Sequence, residues 1–276
     1  MLQYVDAVIQ GIVEGLTEFL PVSSTGHLIL TGKLLGFTGE KADTFEIIIQ
    51  LGAILAVAVI YWRRILNLLG LMRIKPDTGN TNDQQPDHKL NLLHVIIACF
   101  PAMALGLILH SFIKDYLFSP YTVLIGLVLG GVFMLIGQRN QATVQAEGMD
   151  QITYKQALQI GLFQCLALWP GFSRSGATIA GGLLTGISYR AVTNFSFLIA
   201  IPMMFAASGY ELLKSYKTLT ASDAGYFITG FIIAFVVALL AVITFLKLLE
   251  KLKLAPFAYY RFVLAAVFLV YLVING

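Results

Sequence analysis

Charge is scarce in this chain. Lys and Arg number 18 and Asp and Glu 15, so charged residues make up 12% of 276, where soluble domains carry roughly 25%. So few charges cannot cover the surface of a soluble protein of this length. That excludes a soluble enzyme, a disordered chain and a nucleic-acid-binding domain. The net charge of +3 is too small to argue for a polyanionic partner. Cysteine is nearly absent too. Cys99 and Cys165 both lie in apolar stretches, and two isolated cysteines make neither a disulfide framework nor a metal-ligand set, so both read as packing residues. Residues 1–20 lack a basic segment and carry Asp6, Glu14 and Glu18, so no cleavable signal peptide is expected there. What is abundant is apolar: 58% of the residues are hydrophobic and the mean hydropathy is +0.80. The expectation is an all-α, polytopic integral membrane protein.

Crossing a hydrocarbon core takes ~20 helical residues. Runs that meet this need lie near 45–62, 92–109, 120–137, 193–210, 226–246 and 257–274. Two further apolar stretches, about 6–35 and about 156–187, are broken in the middle by Pro21-Val22-Ser23-Ser24-Thr25-Gly26 and by Pro170-Gly171-Phe172-Ser173-Arg174-Ser175-Gly176. Irregular backbone at membrane depth survives only where protein or a watery cavity surrounds it, so both are expected to be re-entrant helix–loop–helix hairpins. The polar segments from Arg73 to Asn91 and from Gln138 to Lys155 read as solvated connectors. Positive charge sets orientation. With the loop after Ile60 in the cytoplasm and both hairpins returning to their own side, Arg63, Arg64, Arg73, Lys75, Lys89, Arg139, Lys155, Arg190, Lys247, Lys251 and Lys253 lie inside, with Arg261 at the mouth of the last span. Lys33, Lys41, Lys114, Lys214 and Lys217 lie outside, a tally of twelve against five.

Sliding the chain on itself by 150 residues aligns Gly11 with Gly161, Leu16 with Leu166, Ser23 with Ser173, Gly26 with Gly176 and Phe45 with Phe195. Each half, 1–145 and 150–276, then holds one hairpin and three spans. Three is odd, so the second half should sit upside down relative to the first. Such an inverted-topology repeat brings paired broken helices together near the midplane.

Three constellations carry chemistry. Glu14 and Glu18 share a helix face at i, i+4, and each costs roughly 2.5–3.5 kcal/mol at membrane depth. A divalent cation relieves both problems, and hard oxygen ligands suit magnesium or calcium; solvation near the surface or protonation of one carboxyl would also do so. Next, Ser23, Ser24, Thr25, Gly26 and His27 follow Pro21. The hydroxyls can cap a restarting helix, and Ser24 with His27 three residues on forms a minimal activated nucleophile. Third, Arg174 is the only Lys or Arg in its apolar stretch apart from Lys155 at the edge. Ser173, Ser175 and Thr178 beside it add donors, the equipment of a phosphate site. A structural Arg–Glu bridge and a phosphate site would both bring Arg174 near Glu14 and Glu18. The repeat is asymmetric here: Gln164 and Leu168 stand where the first half has Glu14 and Glu18, and Ser24 stands where the second has Arg174. Phosphoryl transfer uses such a division between metal, base and positive clamp. The competing reading is a membrane carrier or flippase for an anionic substrate.

The segments Glu14-Gly15-Leu16-Thr17-Glu18-Phe19-Leu20-Pro21-Val22-Ser23-Ser24-Thr25-Gly26-His27 and Pro170-Gly171-Phe172-Ser173-Arg174-Ser175-Gly176-Ala177-Thr178 closely resemble the two signatures of the bacterial undecaprenyl-diphosphatase family, also called bacitracin-resistance proteins. The resemblance runs the whole chain, through Thr44-Phe45-Glu46, Gln50-Leu51-Gly52 and Tyr260-Arg261-Phe262. It implies an inner-membrane phosphatase that converts undecaprenyl diphosphate to the monophosphate carrier of peptidoglycan synthesis, depends on a divalent cation and opens to the periplasmic face. Carried over, it assigns Glu14 and Glu18 to the metal, Ser24 and His27 to the catalytic hydroxyl and imidazole, and Arg174 to phosphate. Ser23, Thr25, Gly26, Gln50, Gly171, Ser173, Ser175 and Thr178 would contact substrate. The implied partners are a polyprenyl diphosphate and membrane lipids, with no nucleic acid; a homodimer is compatible with the sequence.

Overall fold

The computed structural model of the chain describes residues 2–78, 89–215, 223–248 and 252–275. Lys217 and Lys251 of the charge tally, and most of the polar segment before Lys89, fall outside these. In chain order the helices are α1 (Leu2–Thr17), α2 (Ser24–Leu35), α3 (Glu40–Ile60), α4 (Trp62–Leu68), α5 (Leu92–Ile108), α6 (His110–Phe112, continued by a π-turn over Ile113–Leu117), α7 (Pro120–Arg139), α8 (Tyr154–Gln164), α9 (Arg174–Leu184), α10 (Tyr189–Ser215), α11 (Ala224–Leu248) and α12 (Ala255–Asn275). Among the described residues there is no strand beyond an isolated bridge between Ala146 and Ile187.

Five helices, α3, α7, α10, α11 and α12, are long and apolar enough to cross a membrane. The expected run near 92–109 forms α5, and beyond Ile108 the segment from His110 to Leu117 turns away from it by 71°. Counted together they make a sixth. What faces outward shows the solvent these helices are built for. On α11, Ile228, Ile232, Val236, Leu240 and Ile243 are exposed, while Phe227, Gly230, Ala234, Ala238, Val242 and Phe245 on the opposite side are buried. A helix apolar on both faces, half of it uncovered, is stable in lipid and not in water. The architecture is that of a multi-pass membrane protein.

α1, α2, α8 and α9 are shorter than a span, at 16, 12, 11 and 11 residues. They pack through small residues. α1 lies on α11, where a Cβ at Gly11 or Gly15 would come within 2.8 Å of the backbone carbonyl of Gly230 or Ala234. α8 lies on α5, where a Cβ at Gly161 would come within 2.6 Å of the Ala98 carbonyl. Backbones approach this closely in membrane bundles only where side chains are absent. Both helices turn an apolar edge outward, Ile12 and Leu16 on α1, and Leu158 and Leu162 on α8.

The connectors are not simply solvated, as their composition suggested. Asp150 is buried, forms a 2.7 Å ion pair with Arg64 and accepts the backbone N–H groups of Asp77 and Leu90. One carboxylate thus ties both connectors to α4. Arg261, expected at the mouth of the last span, is instead fully buried. A charged group inside an apolar span must find internal partners, and it does so at the second helix break.

Candidate active site

Each short helix pair is interrupted in the same way. Ser23 and Ser173 are the described non-glycine residues with positive φ, at 71° and 74°. Each caps the helix that follows, its hydroxyl accepting the N–H of the glycine three residues on, Gly26 at 3.4 Å and Gly176 at 3.3 Å. A serine in this region costs of order 1–3 kcal/mol and persists only where its surroundings over-determine it. At the second break the surroundings are Arg261. Its guanidinium donates to the carbonyls of Leu127 and Gly126 on α7 at 3.1 Å each, to Phe172 at 2.8 Å and to Gly171 at 2.7 Å. Gly171 has φ 90°, and a Cβ there would strike the Val123 carbonyl; its role is to let the turn close.

The two breaks touch. Ser175 is fully buried and donates its hydroxyl to the Leu20 carbonyl of the first break at 3.1 Å. Across this junction Arg174 Nη2 reaches Glu18 Oε1 at 3.4 Å, and Nη1 donates to the Ser196 carbonyl on α10 at 3.2 Å. The guanidinium lies 5.4 Å from the Phe19 ring centroid, a cation–π distance. Its Nε is buried and has no hydrogen-bond partner among the described residues. Ser24, half-buried, donates its hydroxyl to Glu18 Oε2 at 2.5 Å. Glu18 continues the helical turn of Glu14, its N–H 2.9 Å from the Glu14 carbonyl, so the two carboxylates share a face. Glu14 is 1% exposed, and neither of its carboxylate oxygens has a hydrogen-bond partner among the described residues.

Several sequence-based assignments change. Ser24 does not pair with His27. The imidazole Nδ1 donates to the Ser23 carbonyl at 2.7 Å, and Nε2 is 2.8 Å from the Tyr260 hydroxyl, so both ring nitrogens are taken and the Ser24 hydroxyl turns to Glu18 instead. Thr178 is fully buried; its hydroxyl donates to the Arg174 carbonyl and meets Ser196 Oγ at 2.6 Å, which fixes α9 on α10. Ser175 likewise bonds the Leu20 carbonyl. Gln50 sits on α3, where its side-chain carbonyl accepts from Ser208 at 3.0 Å. Ser173 lies at the junction, 3.2 Å from Ser175. Thr25 is half-buried and starts α2 beside Ser24, and Gly26 supplies the capped N–H.

Sequence reasoning missed Tyr260, the partner of His27, and the role of Arg261. The signal was present: an arginine in an apolar span has to be satisfied by internal hydrogen bonds, and carbonyls freed at a break are the acceptors on offer.

No group of three or more His, Cys, Asp or Glu side chains converges among the described residues. Two carboxylates on one turn, one of them with both oxygens buried and unpartnered, do fit a magnesium-like ion, which commonly takes one or two carboxylates and completes its shell with substrate phosphate.

Comparison with known proteins gives the family. Residues 7–267 match the family described as Bacitracin resistance protein BacA. The chain belongs to the BacA family. Its relatives include undecaprenyl-diphosphatase 1 of Bacillus thuringiensis subsp. konkukian (strain 97-27), 54% identical over 274 residues, which are 99% of this chain and all of the relative. Undecaprenyl-diphosphatase 1 of Bacillus anthracis is 53% identical over the same shares, and that of Bacillus thuringiensis (strain Al Hakam) is 54% identical over them. Both helix breaks of this BacA-family chain, and Tyr260 and Arg261, lie inside the matched region.

Proposed function

We propose that the chain hydrolyses undecaprenyl diphosphate to undecaprenyl phosphate and phosphate in the bacterial inner membrane, recycling the lipid carrier of peptidoglycan synthesis and so conferring bacitracin resistance. The observation that carries this reading is the junction of the breaks: a buried Arg174 Nε–H and a buried Glu14 carboxylate, both unpartnered, flank Glu18 and Ser24. An anion completes the first and a cation the second, and a metal-bound diphosphate supplies both. Full-length relatives named for this activity support it.

In this reading Arg174 binds the terminal phosphate through Nε and draws its oxygens toward the break. Its fork suits phosphate as an ammonium does not. Ser173 would turn its hydroxyl from Ser175 to the phosphate, and Thr25 and the N-terminus of α2, which begins at Ser24, would add donors. Glu14, with Glu18 beside it, would hold magnesium or calcium, which when bound polarises the diphosphate oxygens. Ser24 Oγ attacks the terminal phosphorus as its proton passes to Glu18 Oε2, and the bond to the bridging oxygen breaks to release undecaprenyl phosphate. Water then attacks the phosphoserine; Ser24 recovers its proton from Glu18, and phosphate leaves with both protons of the water. His27, held by Ser23 and Tyr260, fixes the turn that presents Ser24. The prenyl tail stays in lipid beside the exposed apolar faces.

The fold supporting this chemistry is an inverted-topology repeat of six spans and two re-entrant hairpins, divided near 145–150, with the site open to the periplasm. Matching serine turns and glycine contacts 150 residues apart support the repeat. The short lengths of α1, α2, α8 and α9 support hairpins, and the charge tally supports the orientation.

The test is phosphate release from a prenyl diphosphate by purified protein, with and without divalent cation. Release that needs the cation and is lost in Arg174→Ala is expected. Equal release by that variant, or none from the parent chain, overturns the reading; a carrier would release none. Glu14→Gln should raise the cation concentration needed far more than it weakens lipid binding, and Glu18→Gln, which also removes the acceptor of the Ser24 proton, should lose turnover at every cation concentration. Rapid quench should trap phosphate on Ser24.

A further inference from the structure

A cavity of ≈ 620 Å³, with polar and apolar residues on its wall, lies at the far end of α9 from Arg174. Leu183 on its wall is nine residues beyond Arg174 on α9, roughly 14 Å along the helix. The described residues that line it include Arg190, Lys253, Gln138, Tyr189 and Asn194, with no Asp or Glu. Neither cation has a carboxylate within ion-pair distance among the described residues. The Tyr189 hydroxyl is buried without a partner. Gln138 accepts the Ala255 N–H at 2.8 Å through its carbonyl oxygen, which leaves its amide N–H₂ as a donor. Asn194 is held in place, accepting from Tyr61 at 2.7 Å and donating to the Arg190 carbonyl at 2.8 Å. Two leucines form the apolar part of the wall.

We infer that this cavity is a second phosphate-binding site, built for a phosphate group presented at the basic end of the helix bundle. Two cations and a spare amide on one concavity form a donor-rich wall, and phosphate oxygens are the acceptors that suit it. A neutral ligand would leave both positive charges on the wall uncompensated. The volume lies in the range that encloses an organic ligand, so a phosphate carried on a lipid fits it, with the leucines against the first carbons; free inorganic phosphate offers the same oxygens. The inference rests on the cavity and its charges and stands whether or not the junction of the breaks hydrolyses diphosphate.

The test is equilibrium binding to the purified full-length chain in phosphatidylcholine nanodiscs, made in an Arg174→Ala background to silence the junction. The probes are radiolabelled farnesyl monophosphate and radiolabelled inorganic phosphate. Saturable binding of at least one is expected, weakened tenfold or more by Arg190→Ala with Lys253→Ala. The charge-conserving pair Arg190→Lys with Lys253→Arg should stay within about threefold of the parent. Farnesyl monophosphate binding alone assigns a lipid source, and inorganic phosphate binding with the same charge dependence assigns the free ion; either supports the site. No saturable binding, binding indifferent to the alanine pair, or equal loss in both pairs overturns it. With Arg174 restored, the alanine pair should release phosphate from a prenyl diphosphate at the parent rate.

Discussion

The two helix breaks share a backbone device and differ in everything attached to it. In both, a serine at positive φ caps a glycine three residues on. The first break is supported by a histidine on its own helix, which donates to the Ser23 carbonyl. The second is supported from outside, by Arg261 reaching in from α12 to the Gly171 and Phe172 carbonyls. Outward, the first presents acids and a hydroxyl and the second a guanidinium. Position 14 and its counterpart 164 make the contrast sharp. Both are enclosed, but Gln164 donates to the Ala98 carbonyl at 3.3 Å, whereas Glu14 has no partner for its carboxylate. A neutral amide can be buried on one hydrogen bond, but a carboxylate cannot. Equivalent turns set the geometry, and the substitutions upon them create the chemistry.

The largest break in this comparison should come from Arg261→Met. It leaves four backbone carbonyls at α7 and the second break without their donor, and removal of one side of a buried charged network costs about 3–5 kcal/mol. The second break should open while the first, which Arg261 does not touch, keeps its form. Proteolysis or hydrogen exchange resolved by segment checks this: loss of protection around 169–176 ahead of 20–27 is expected. Equal loss in both would mean that the breaks fold as one unit.

Arg174→Lys comes next and concerns activity. The ammonium keeps the charge toward Glu18 but has no Nε–H fork for phosphate. Turnover should fall by about 10²–10³, or ~2.7–4 kcal/mol of transition-state stabilisation, with the midpoint of thermal unfolding little changed. Near-normal turnover would make Arg174 a bridge to Glu18 and nothing more.

Much of this was legible in the sequence, for stated physical reasons. Spans follow from apolar length, and the breaks from Pro, Gly and Ser inside apolar runs. That Glu18 and Arg174 would meet follows from the cost of leaving either alone in lipid. What could not be read was which neighbour each polar group would choose. The spacing of Ser24 and His27 suggested a pair, yet the turn at Ser23 exposes a carbonyl that captures the imidazole, and Glu18 captures the hydroxyl. Thr178 looked like a phosphate donor because it sits one helical turn from Arg174; that same geometry aims its hydroxyl at Ser196 and its own backbone. The apolar run ends near 109, where α5 ends, but nothing in it shows that the chain bends there by 71° into a short helical arm. Asp150 and Arg64 are far apart in the chain, and only the folded connectors bring them together.

The caps themselves should respond alike. Ser23→Ala and Ser173→Ala each remove an N-cap acceptor and keep a side chain at positive φ, so each should cost about 1 kcal/mol of stability. Thermal unfolding of the two purified variants measures it. A difference above ~1 kcal/mol between them would show that the turns are not equivalent supports, and would place the excess on whichever break has the weaker neighbour.

The smallest effect is expected at Tyr260→Phe. The variant removes one hydrogen bond, from the Tyr260 hydroxyl to His27 Nε2, and keeps the ring that stacks on the imidazole at 5.6 Å. Tyr260 is 47% exposed, so water can replace the hydroxyl, and the net loss should be about 0.5–1.5 kcal/mol. Because Nδ1 stays on the Ser23 carbonyl, the first turn should hold, and turnover should drop by no more than about tenfold with the cation requirement unchanged. His27→Ala removes both bonds and the stack, and should cost more than Tyr260→Phe by freeing the Ser23 carbonyl. If the two variants lose turnover equally, the imidazole acts through Tyr260 rather than through the turn, and the first break is supported from α12 just as the second is.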